Sequence, residues 1–391
     1  MTLALLSFFI LIYIFFHSLG DTANYRRPFI VISTIVMILI SGLRHQYVGN
    51  DTYVTMEKFE SNSYTEWKYI IRDFWSMYTE PSKEYGKDPG ELVFDKIISM
   101  FTTDSRTFLF IVAAITLVSL ASFVYRRANT LHSVLFSYMF FVSLLYSFIP
   151  NSAVRQTIAI AILFYAYRFL QQKKYLWFIL FLFFASTFHK SALVVGIMLP
   201  LLYVKQVRYV YYGCIPFFFF MLFFYNEVAV FLGAANDVYE GYLAINYYTS
   251  TGQSRPFMVI IMVAGLYLYN MIILERDRNW EENKIYYIGT GLTLVFTPLV
   301  LFDPSALRIM AYFGMFVPII SGNLCTNTAI TRNGFIAIAI IFYMRAARQP
   351  DDGYRFLWQE KAPPQRTTAF NALKKDSYKS LILVPIQPIT G

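Results

Sequence analysis

Four groups of polar and ionisable residues border or interrupt long apolar runs in this 391-residue sequence. They are Arg44 with Asp51; Arg155 with Gln156; His189, Lys190 and Ser191; and Asp303 with Arg308. An ionisable side chain beside or within lipid costs free energy unless a partner, a water-filled cavity or a ligand compensates for it. Each group is therefore a candidate functional site.

The residue types in these groups favour an anionic ligand. A guanidinium group binds phosphate oxygens through two parallel hydrogen bonds and stays charged at physiological pH. Arg44, Arg155 and Arg308 at a membrane interface therefore suit the diphosphate of a lipid-linked molecule. His189 or Asp51 is a candidate general base for a hydroxyl group. The alternative is that each residue is an interfacial anchor whose charged end reaches water.

Long apolar segments must position these residues. Of the whole sequence, 57% is hydrophobic and only 15% is charged, with a mean hydropathy of +0.47. A helix needs about 20 mostly apolar residues to cross a bilayer, because its backbone polar groups must be satisfied internally. The sequence predicts an all-α polytopic membrane protein with about 11 or 12 such segments. They cover 3–19, 29–43, 107–125, 133–149, 153–170, 175–188, 192–204, 209–232, 257–274, 285–302, 309–324 and 334–344.

The distribution of lysine and arginine predicts the orientation. One set of alternate short loops carries 13 basic residues and the opposite set carries three, which are Lys190, Arg255 and Arg308. The larger set is Arg26, Arg27, Arg126, Arg127, Arg168, Lys173, Lys174, Lys205, Arg208, Arg276, Arg278, Lys284 and Arg332. Because short cytoplasmic loops carry the excess of basic residues, the larger set is predicted to be cytoplasmic. All four polar groups then face the outside.

A long stretch, residues 44–106, is the predicted extracytoplasmic loop. It holds 8 basic and 11 acidic residues in a chain of net charge +9, so the basic excess reflects topology and indicates no nucleic-acid partner. Its aromatic residues suit stacking on sugar rings, and the alternative is an interfacial aromatic belt. These aromatic residues are Tyr47, Tyr53, Tyr64, Trp67, Tyr69, Trp75, Tyr78 and Tyr85.

Two units follow from composition, a membrane domain over 1–345 and a polar tail over 346–391. The tail has few apolar residues and is expected to be weakly ordered. It lies outside if residues 334–344 cross the membrane and inside if they do not, and the sequence leaves both open. Cys214 and Cys325 fall near predicted cytoplasmic ends, so no disulfide framework is expected.

Three short motifs carry a resemblance to a known family. They are Gly42-Leu43-Arg44 with Val48-Gly49-Asn50-Asp51-Thr52, then Arg155-Gln156-Thr157-Ile158-Ala159, then Phe188-His189-Lys190-Ser191-Ala192. In this order, and on one predicted side of the membrane, they resemble the EpsG family of Wzy-like polymerases of exopolysaccharide and O-antigen repeat units. The similarity covers roughly residues 1–344, and the tail matches no part of the family pattern.

The resemblance implies a GT-C-like glycosyltransferase in the bacterial cytoplasmic membrane with its active site facing outward. Its donor and acceptor would be glycans on undecaprenyl diphosphate, with a chain-length regulator as a further partner. His189 and Asp51 would be catalytic, and Gln156, Ser191 and Asp303 would support them. Arg44, Arg155, Arg308 and Lys190 would bind the diphosphates. No cofactor or metal is expected, although some GT-C enzymes use an early carboxylate such as Asp51 for a metal.

Two other classes of function also fit a polytopic protein with outer cations. A flippase or transporter of lipid-linked sugars would need charges spread through the middle of the membrane. A membrane O-acyltransferase that modifies surface glycan would also use a histidine near the membrane surface. A deletion strain would separate the three classes by its surface glycan.

Overall fold

A computed structural model describes residues 1–20, 24–49, 51–79, 88–146, 153–234, 254–275, 277, 279–302, 307–323, 329–347 and 354–359. Within these residues the chain is helical, and the isolated antiparallel bridge between Arg44 and Phe356 is the only strand-like pairing. The predicted all-α class is confirmed for the part of the chain that the structure describes. Several residues from the sequence predictions lie outside the described residues, namely Asn50, Tyr85, Arg276, Arg278, Asp303 and Cys325.

Every predicted apolar segment is helical where the structure describes it. The helices are α1 (Thr2–Ser18), α2 (Arg26–Gly42), α3 (Thr52–Tyr64), α4 (Trp67–Thr79), α5 (Pro89–Ser99), α6 (Ser105–Arg127), α7 (Leu131–Phe140), α8 (Val154–Gln171), α9 (Tyr175–Phe188), α10 (Met198–Leu202), α11 (Val207–Phe223), α12 (Tyr225–Ala234), α13 (Ser254–Leu274), α14 (Lys284–Phe296), α15 (Leu307–Gly314), α16 (Phe316–Asn323) and α17 (Ala329–Ala347). A π-helical turn, Phe141–Leu145, extends α7, and 3₁₀ segments follow α9 (Lys190–Ile197) and α14 (Thr297–Leu301).

Length and composition make several of these helices candidate membrane spans. Among the described residues, three are long and apolar enough to cross a bilayer, namely Ser105–Arg127, Phe257–Leu274 and Lys284–Leu301. Further apolar helices are shorter, including Thr2–Ser18 and Val207–Phe223. Their outward faces carry large apolar side chains, as membrane contact requires. On α9 the exposed residues include Leu176, Leu180, Phe183 and Phe184.

Buried tyrosines connect the packed helices. The hydroxyl of Tyr138 on α7 lies 2.6 Å from Thr34 Oγ1 on α2. Tyr146 donates to the carbonyl of Met37, also on α2, at 2.9 Å. A buried hydroxyl keeps its hydrogen bond when it pairs with a neighbouring helix, and in lipid such bonds help to hold helices together. The phenol groups in this core are therefore structural.

The basic loops that the sequence assigns to one side do meet at one end of the helical bundle. Arg26, before α2, donates to the carbonyl of Tyr125 at 2.7 Å. The Arg127 side chain donates to Tyr286 Oη at 3.0 Å, and its carbonyl accepts from Asn323 at 2.7 Å. This end is called the basic end below. The alternation inferred from lysine and arginine therefore corresponds to a common end in space.

The end of α17 lies on the opposite side from its start. Asn323, which ends α16, is at the basic end, whereas residues 354–359 pack beside the end of α2. There the Leu357 amide donates to the Leu43 carbonyl at 3.0 Å, and the His45 amide donates to the Arg355 carbonyl at 2.9 Å. The 19-residue α17 therefore runs from one end of the bundle to the other, longer than residues 334–344 indicated. Residues 354–359 of the tail therefore lie at the same end as Arg44.

The described part of residues 44–106 folds into three helices, α3, α4 and α5. Asp104 ends this region by capping α6, accepting the Thr107 amide at 2.8 Å. α5 packs against α3, α4 and α9, while α3 also packs against α6. The region is thus a folded helical cap on the bundle, which fixes the direction of the side chains it carries.

We expect labelling of single cysteines on intact cells to reproduce this arrangement. In a chain lacking Cys214 and Cys325, Tyr64→Cys on the helical cap should react with a membrane-impermeant maleimide. Gln172→Cys at the basic end should react only after permeabilisation, because excess lysine and arginine keeps those loops in the cytoplasm. Both residues are exposed to solvent. Labelling of Gln172→Cys but not Tyr64→Cys on intact cells would reverse the predicted orientation.

Candidate functional site

Acidic residues at the start of α5 and along its side form one wall of the candidate site. Asp88, Glu91 and Asp95 recur at spacings of three and four residues, which brings them to one side of a helix. All three are buried, with exposed fractions of 5%, 8% and 1%. Asp95 Oδ2 accepts a hydrogen bond from Asn62 at 2.9 Å. Burial raises the pKa of Asp95 well above its ordinary value, and the neighbouring Glu91 raises it further.

Arg155, the second residue of α8, pairs with this acidic face. Its Nη1 donates to Asp88 Oδ2, and its Nε lies 3.7 Å from Glu91 Oε1. Lys58 on α3 approaches Glu91 from the other side, with Nζ 3.7 Å from Oε2. Two buried carboxylates thus receive two cations, as buried charges require. The pairing joins the helical cap to the start of α8.

Arg308, the second residue of α15, pairs with Asp51. Its Nη2 lies 3.4 Å from Oδ2 of Asp51, which directly precedes α3. The Gln156 side chain is buried and donates to the backbone carbonyl of Arg308 at 2.6 Å. Gln156 follows Arg155, so this bond places the two arginines at neighbouring helix starts. We call Asp51, Asp88, Glu91, Arg155 and Arg308 the arginine–carboxylate cluster.

His189 lies where α9 ends and the backbone changes course. Its φ of −158° and ψ of 111° are extended, and the chain then continues as the 3₁₀ segment Lys190–Ile197. The amide of His189 still bonds to Ala185 at 3.1 Å. Ser191 Oγ lies 3.0 Å from the Tyr312 hydroxyl, one helical turn beyond Arg308 on α15. The break therefore adjoins the cluster, while Lys190 is exposed.

A close helix contact also brings α5 to the end of α9. A Cβ added to Gly90 would lie against Thr187 Oγ1 and 3.0 Å from the Thr187 carbonyl carbon. Further along the same two helices, the rings of Phe94 and Phe188 meet at 5.9 Å. Gly90 lies between Asp88 and Glu91, and Thr187 is two residues before His189. Because Gly90 has no side chain, α5 lies close to the end of α9, and this contact sets the distance between the acidic residues and His189.

We expect Gly90→Ala to destabilise the protein, because the new methyl group must push α5 away from the backbone of α9. Overpacking of this kind costs roughly 1–3 kcal/mol. Gly265→Ala on α13 is the matched control, since a Cβ there meets nothing within 4 Å and alanine favours helix by up to about 1 kcal/mol. Thermal unfolding of the purified variants should show a lower midpoint for Gly90→Ala only. Equal midpoints would show that the α5–α9 contact is loose.

Arg44 lies beside the cluster, in separate surroundings. It is 3% exposed, its Nη1 donates to the Ser41 carbonyl at 2.5 Å, and its Nε lies 3.5 Å from Thr52 Oγ1. Thr52, which contacts Arg44, directly follows Asp51, which pairs with Arg308. The surroundings of Arg44 and of the cluster therefore meet at two consecutive residues. Burial lowers the pKa of Arg44 to about 10, which leaves the guanidinium protonated at neutral pH.

The structure therefore brings most of the predicted site residues together. Asp51, Arg155, Arg308 and Gln156 are joined by contacts, and His189 and Ser191 adjoin them. Arg44 lies next to this group and Lys190 points to solvent. The sequence analysis missed Asp88, Glu91, Asp95 and Tyr312. The helical spacing of the three acidic residues was a usable signal, whereas nothing local to Tyr312 indicated its position.

The cluster can bind an anion through the arginine N–H groups that its ion pairs leave unused. In the described part of the chain, Nη2 of Arg155 and Nη1 of Arg308 take part in no ion pair or hydrogen bond. These N–H groups can donate to phosphate oxygens while the paired carboxylates hold each guanidinium in position. The carboxylates face cations rather than one another. Among the described residues, no three histidine, cysteine or acidic side chains converge as a metal site.

Comparison with known proteins places the chain in one family. The model of the EpsG family matches residues 28–349, a range that includes every member of the cluster as well as His189. No match was found among curated proteins or among solved structures, so the GT-C-like fold stays a prediction. Since the match covers well over half of its length, the chain belongs to the EpsG family.

Proposed function

We propose that this protein is a membrane glycosyltransferase that joins oligosaccharide repeat units carried on undecaprenyl diphosphate. Membership of the EpsG family supports a role in making exopolysaccharide or O-antigen-type polymer. The observation that carries the proposal is the meeting of Arg155, Arg308, Asp51 and the His189 break at the end of the bundle opposite the basic end. The reaction would take place on the outer side of the bacterial cytoplasmic membrane.

The chemistry needs both an anion site and a base. A hydroxyl oxygen of the acceptor sugar attacks the anomeric carbon of the donor glycan, and the bond from that carbon to the diphosphate oxygen breaks. Undecaprenyl diphosphate leaves with the bonding electron pair, and the hydroxyl proton passes to a base. Arg155 and Arg308 would bind the diphosphate and stabilise the charge that develops on it as it leaves.

Carboxylates of the cluster position the arginines for this task. A guanidinium paired through Nη1 and Nε, as Arg155 is with Asp88 and Glu91, has a fixed plane. Donors that already point to the developing charge need no reorganisation during the reaction. Asp88 and Glu91 are thus positioning residues. Lys190, exposed at the 3₁₀ segment, would contribute charge from solvent.

Two residues remain candidates for the base. Asp51 is half-buried and engaged with Arg308, whereas His189 is half-buried at the helix break. A neutral imidazole accepts a proton near physiological pH, which suits transfer from a sugar hydroxyl. We propose His189 as the base and Asp51 as the residue that orients Arg308.

The arrangement favours a polymerase over the two other classes. A transporter would need cations through the middle of the membrane, but Arg155 and Arg308 both lie at helix starts at one end of the bundle. An O-acyltransferase would need an acyl donor reaching His189 and would not need arginines beside it. A reaction on a lipid-linked diphosphate needs both the arginines and the histidine. A chain-length regulator would be a further partner.

A deletion strain tests the proposal through its surface glycan. Loss of the gene should leave single repeat units on the surface, and the intact gene should restore the ladder of longer chains. A strain with no surface glycan would indicate a lost flippase, and full-length glycan lacking acetyl groups would indicate a lost acyltransferase. Either of these results would overturn the proposed polymerase function.

A further inference from the structure

A small pocket lies between the end of α2, the start of α6 and the tail segment 354–359. Its volume is about 50 Å³. Its lining consists of Gly42, Arg44, His45, Gln46, Met56, Arg106, Leu109 and Leu357. Among the described residues that line it, arginine and histidine are present and no carboxylate is. We call it the Arg44 pocket.

One buried donor in this lining lacks an acceptor. Nη1 and Nε of Arg44 are engaged by Ser41 and Thr52, but Nη2 is buried with no hydrogen-bond partner in the described part of the chain. A buried charged donor left unsatisfied costs more than the hydrogen bond would have contributed. An acceptor carried by a ligand would remove that cost.

The neighbouring side chains also favour an anion. His45 Nδ1 accepts from the Tyr47 amide at 3.4 Å, so the proton of the neutral ring is on Nε2, which can donate. The pKa of His45 is lowered by burial, then by the positive charges of Arg106 and Arg355. Two cationic groups, Arg106 and Arg355, therefore act on one imidazole. In the described residues, neither Arg44 nor Arg106 has an ion pair.

The nearest acidic residue in sequence is already engaged. Asp104 accepts hydrogen bonds from both the amide and the hydroxyl of Thr107, at 2.8 and 2.7 Å, as the cap of α6. The bonds from Thr107 are the main factor that holds the pKa of Asp104 below its ordinary value, and the backbone amide and positive charge of Arg106 lower it further. Its carboxylate is therefore engaged as the cap of α6. The contrast with Arg155 and Arg308, each held by a carboxylate, is the main feature of the Arg44 pocket.

The tail closes one side of the pocket. Phe356 forms a backbone bridge with Arg44, and Leu357, which bonds to Leu43, contributes a wall. The ring of Trp358 stacks on Phe356 at 4.6 Å between centroids. A segment more than 300 residues from Arg44 in sequence thus contributes one wall of the lining.

We propose that the Arg44 pocket is an anion site, separate from the arginine–carboxylate cluster, that binds one phosphoryl group of a phosphate or diphosphate through Arg44, Arg106 and His45. One water occupies roughly 10–15 Å³ of a cavity measured in this way. The pocket, at about 50 Å³, therefore has room for a few water-sized atoms. That space is enough for one phosphoryl group and too small for a sugar. The group would come from free inorganic diphosphate or from the headgroup of a lipid diphosphate. The inference rests on the proposed function only for the choice of the lipid probe.

Binding of radiolabelled inorganic diphosphate to the full-length chain in phosphatidylcholine nanodiscs tests the pocket. Arg106→Gln should raise the dissociation constant about tenfold or more, since it removes a charge-assisted hydrogen bond. Arg106 is exposed, so its loss should leave folding intact, whereas Arg44→Gln could disturb the buried end of α2. Arg72→Gln, at another exposed arginine on α4, is the matched control and should bind like the unchanged protein.

Further arms separate the sites and the sources. Arg155→Gln combined with Asp88→Asn removes the cluster's part of the binding without leaving Asp88 unpaired. Probe that still binds to this double variant would lie outside the cluster, as proposed. Competition by undecaprenyl diphosphate in the nanodisc would identify a lipid headgroup as the ligand, and its absence would identify free diphosphate. Equal binding by Arg106→Gln and Arg72→Gln, or loss of all binding in the Arg155→Gln/Asp88→Asn double variant, would overturn the site. No polymer is formed in this experiment, so its failure is distinct from failure of the polymerase assay.

Discussion

Replacing Arg155 with alanine is expected to abolish polymer in the complemented deletion strain. The change removes donors aimed at the leaving diphosphate, and loss of one such donor typically lowers the rate on the order of 10²–10³-fold. Arg155→Lys should also fail substantially, because a compact ammonium cannot reproduce the planar fork that meets Asp88, Glu91 and a phosphate together. The measurement is the surface-glycan ladder at matched protein level.

A structural role for Arg155 must be separated from this effect. Removing one partner of a buried ion pair costs roughly 3–5 kcal/mol, so Arg155→Ala alone could lower the amount of folded protein. Asp88→Asn in the same chain removes the carboxylate left without its cation. We expect the double variant to regain its level in the membrane but to make no polymer. Recovery of the ladder by Asp88→Asn would reduce Arg155 to a structural partner of α5.

The second large effect is expected for His189→Gln. Glutamine keeps a hydrogen-bonding group of similar size but cannot take a proton, so polymer formation in isolated membranes should fall by about 10²-fold or more. Lipid-linked donor should still bind, because Arg155 and Arg308 are unchanged. The alternative role, capping the end of α9, predicts nearly normal activity, since a glutamine side chain can meet the same backbone groups.

The matched control is His132→Gln. His132 is the second residue of α7 and packs against Tyr13 and His17, with its ring 5.5 Å from that of Tyr13. This is the same substitution at a half-buried histidine remote from the cluster, and it should leave turnover close to normal. If His189→Gln also retains near-normal turnover, the base assignment moves to Asp51.

The helical framework was predictable because its signal is local. A run of about 20 apolar residues has few stable alternatives in lipid, so segments such as 107–125 and 257–274 could be recognised from composition. The grouping of the basic loops on one side could also be predicted from their lysine and arginine content. In the structure, Arg26, Arg127 and Asn323 lie at one end of the bundle. Helix ends were less certain, and α17 proved longer than residues 334–344, since Ala329 and Thr331 carry little hydropathy signal.

The helical cap was harder to predict. Residues 44–106 look like a polar connection because their apolar residues are few and spaced. On α4, however, Trp67, Ile70, Ile71, Phe74 and Trp75 follow helical spacing. That pattern, and the same spacing of acidic residues on α5, was present in the sequence. An amphipathic helix is stabilised mainly by packing against another element. The sequence around α4 and α5 does not reveal which helices they pack against.

Pairings across the chain lie beyond a single sequence. Arg155 meets Asp88 across 67 positions, and Arg308 meets Asp51 across 257. The residue types predicted an anion site, but the carboxylates that hold the arginines follow only from the packing of α3, α5, α8 and α15. The same holds for Arg44, which the motifs grouped with the other arginines and the structure places in its own pocket.

Reconstitution of the purified protein tests the central claim most directly. Proteoliposomes would receive undecaprenyl-diphosphate-linked repeat units extracted from the deletion strain, with no other enzyme present. The account predicts a ladder of longer glycans, with one undecaprenyl diphosphate released for each bond formed and no ladder from Arg155→Ala. Unchanged single repeat units, or their movement across the bilayer without bond formation, would contradict it.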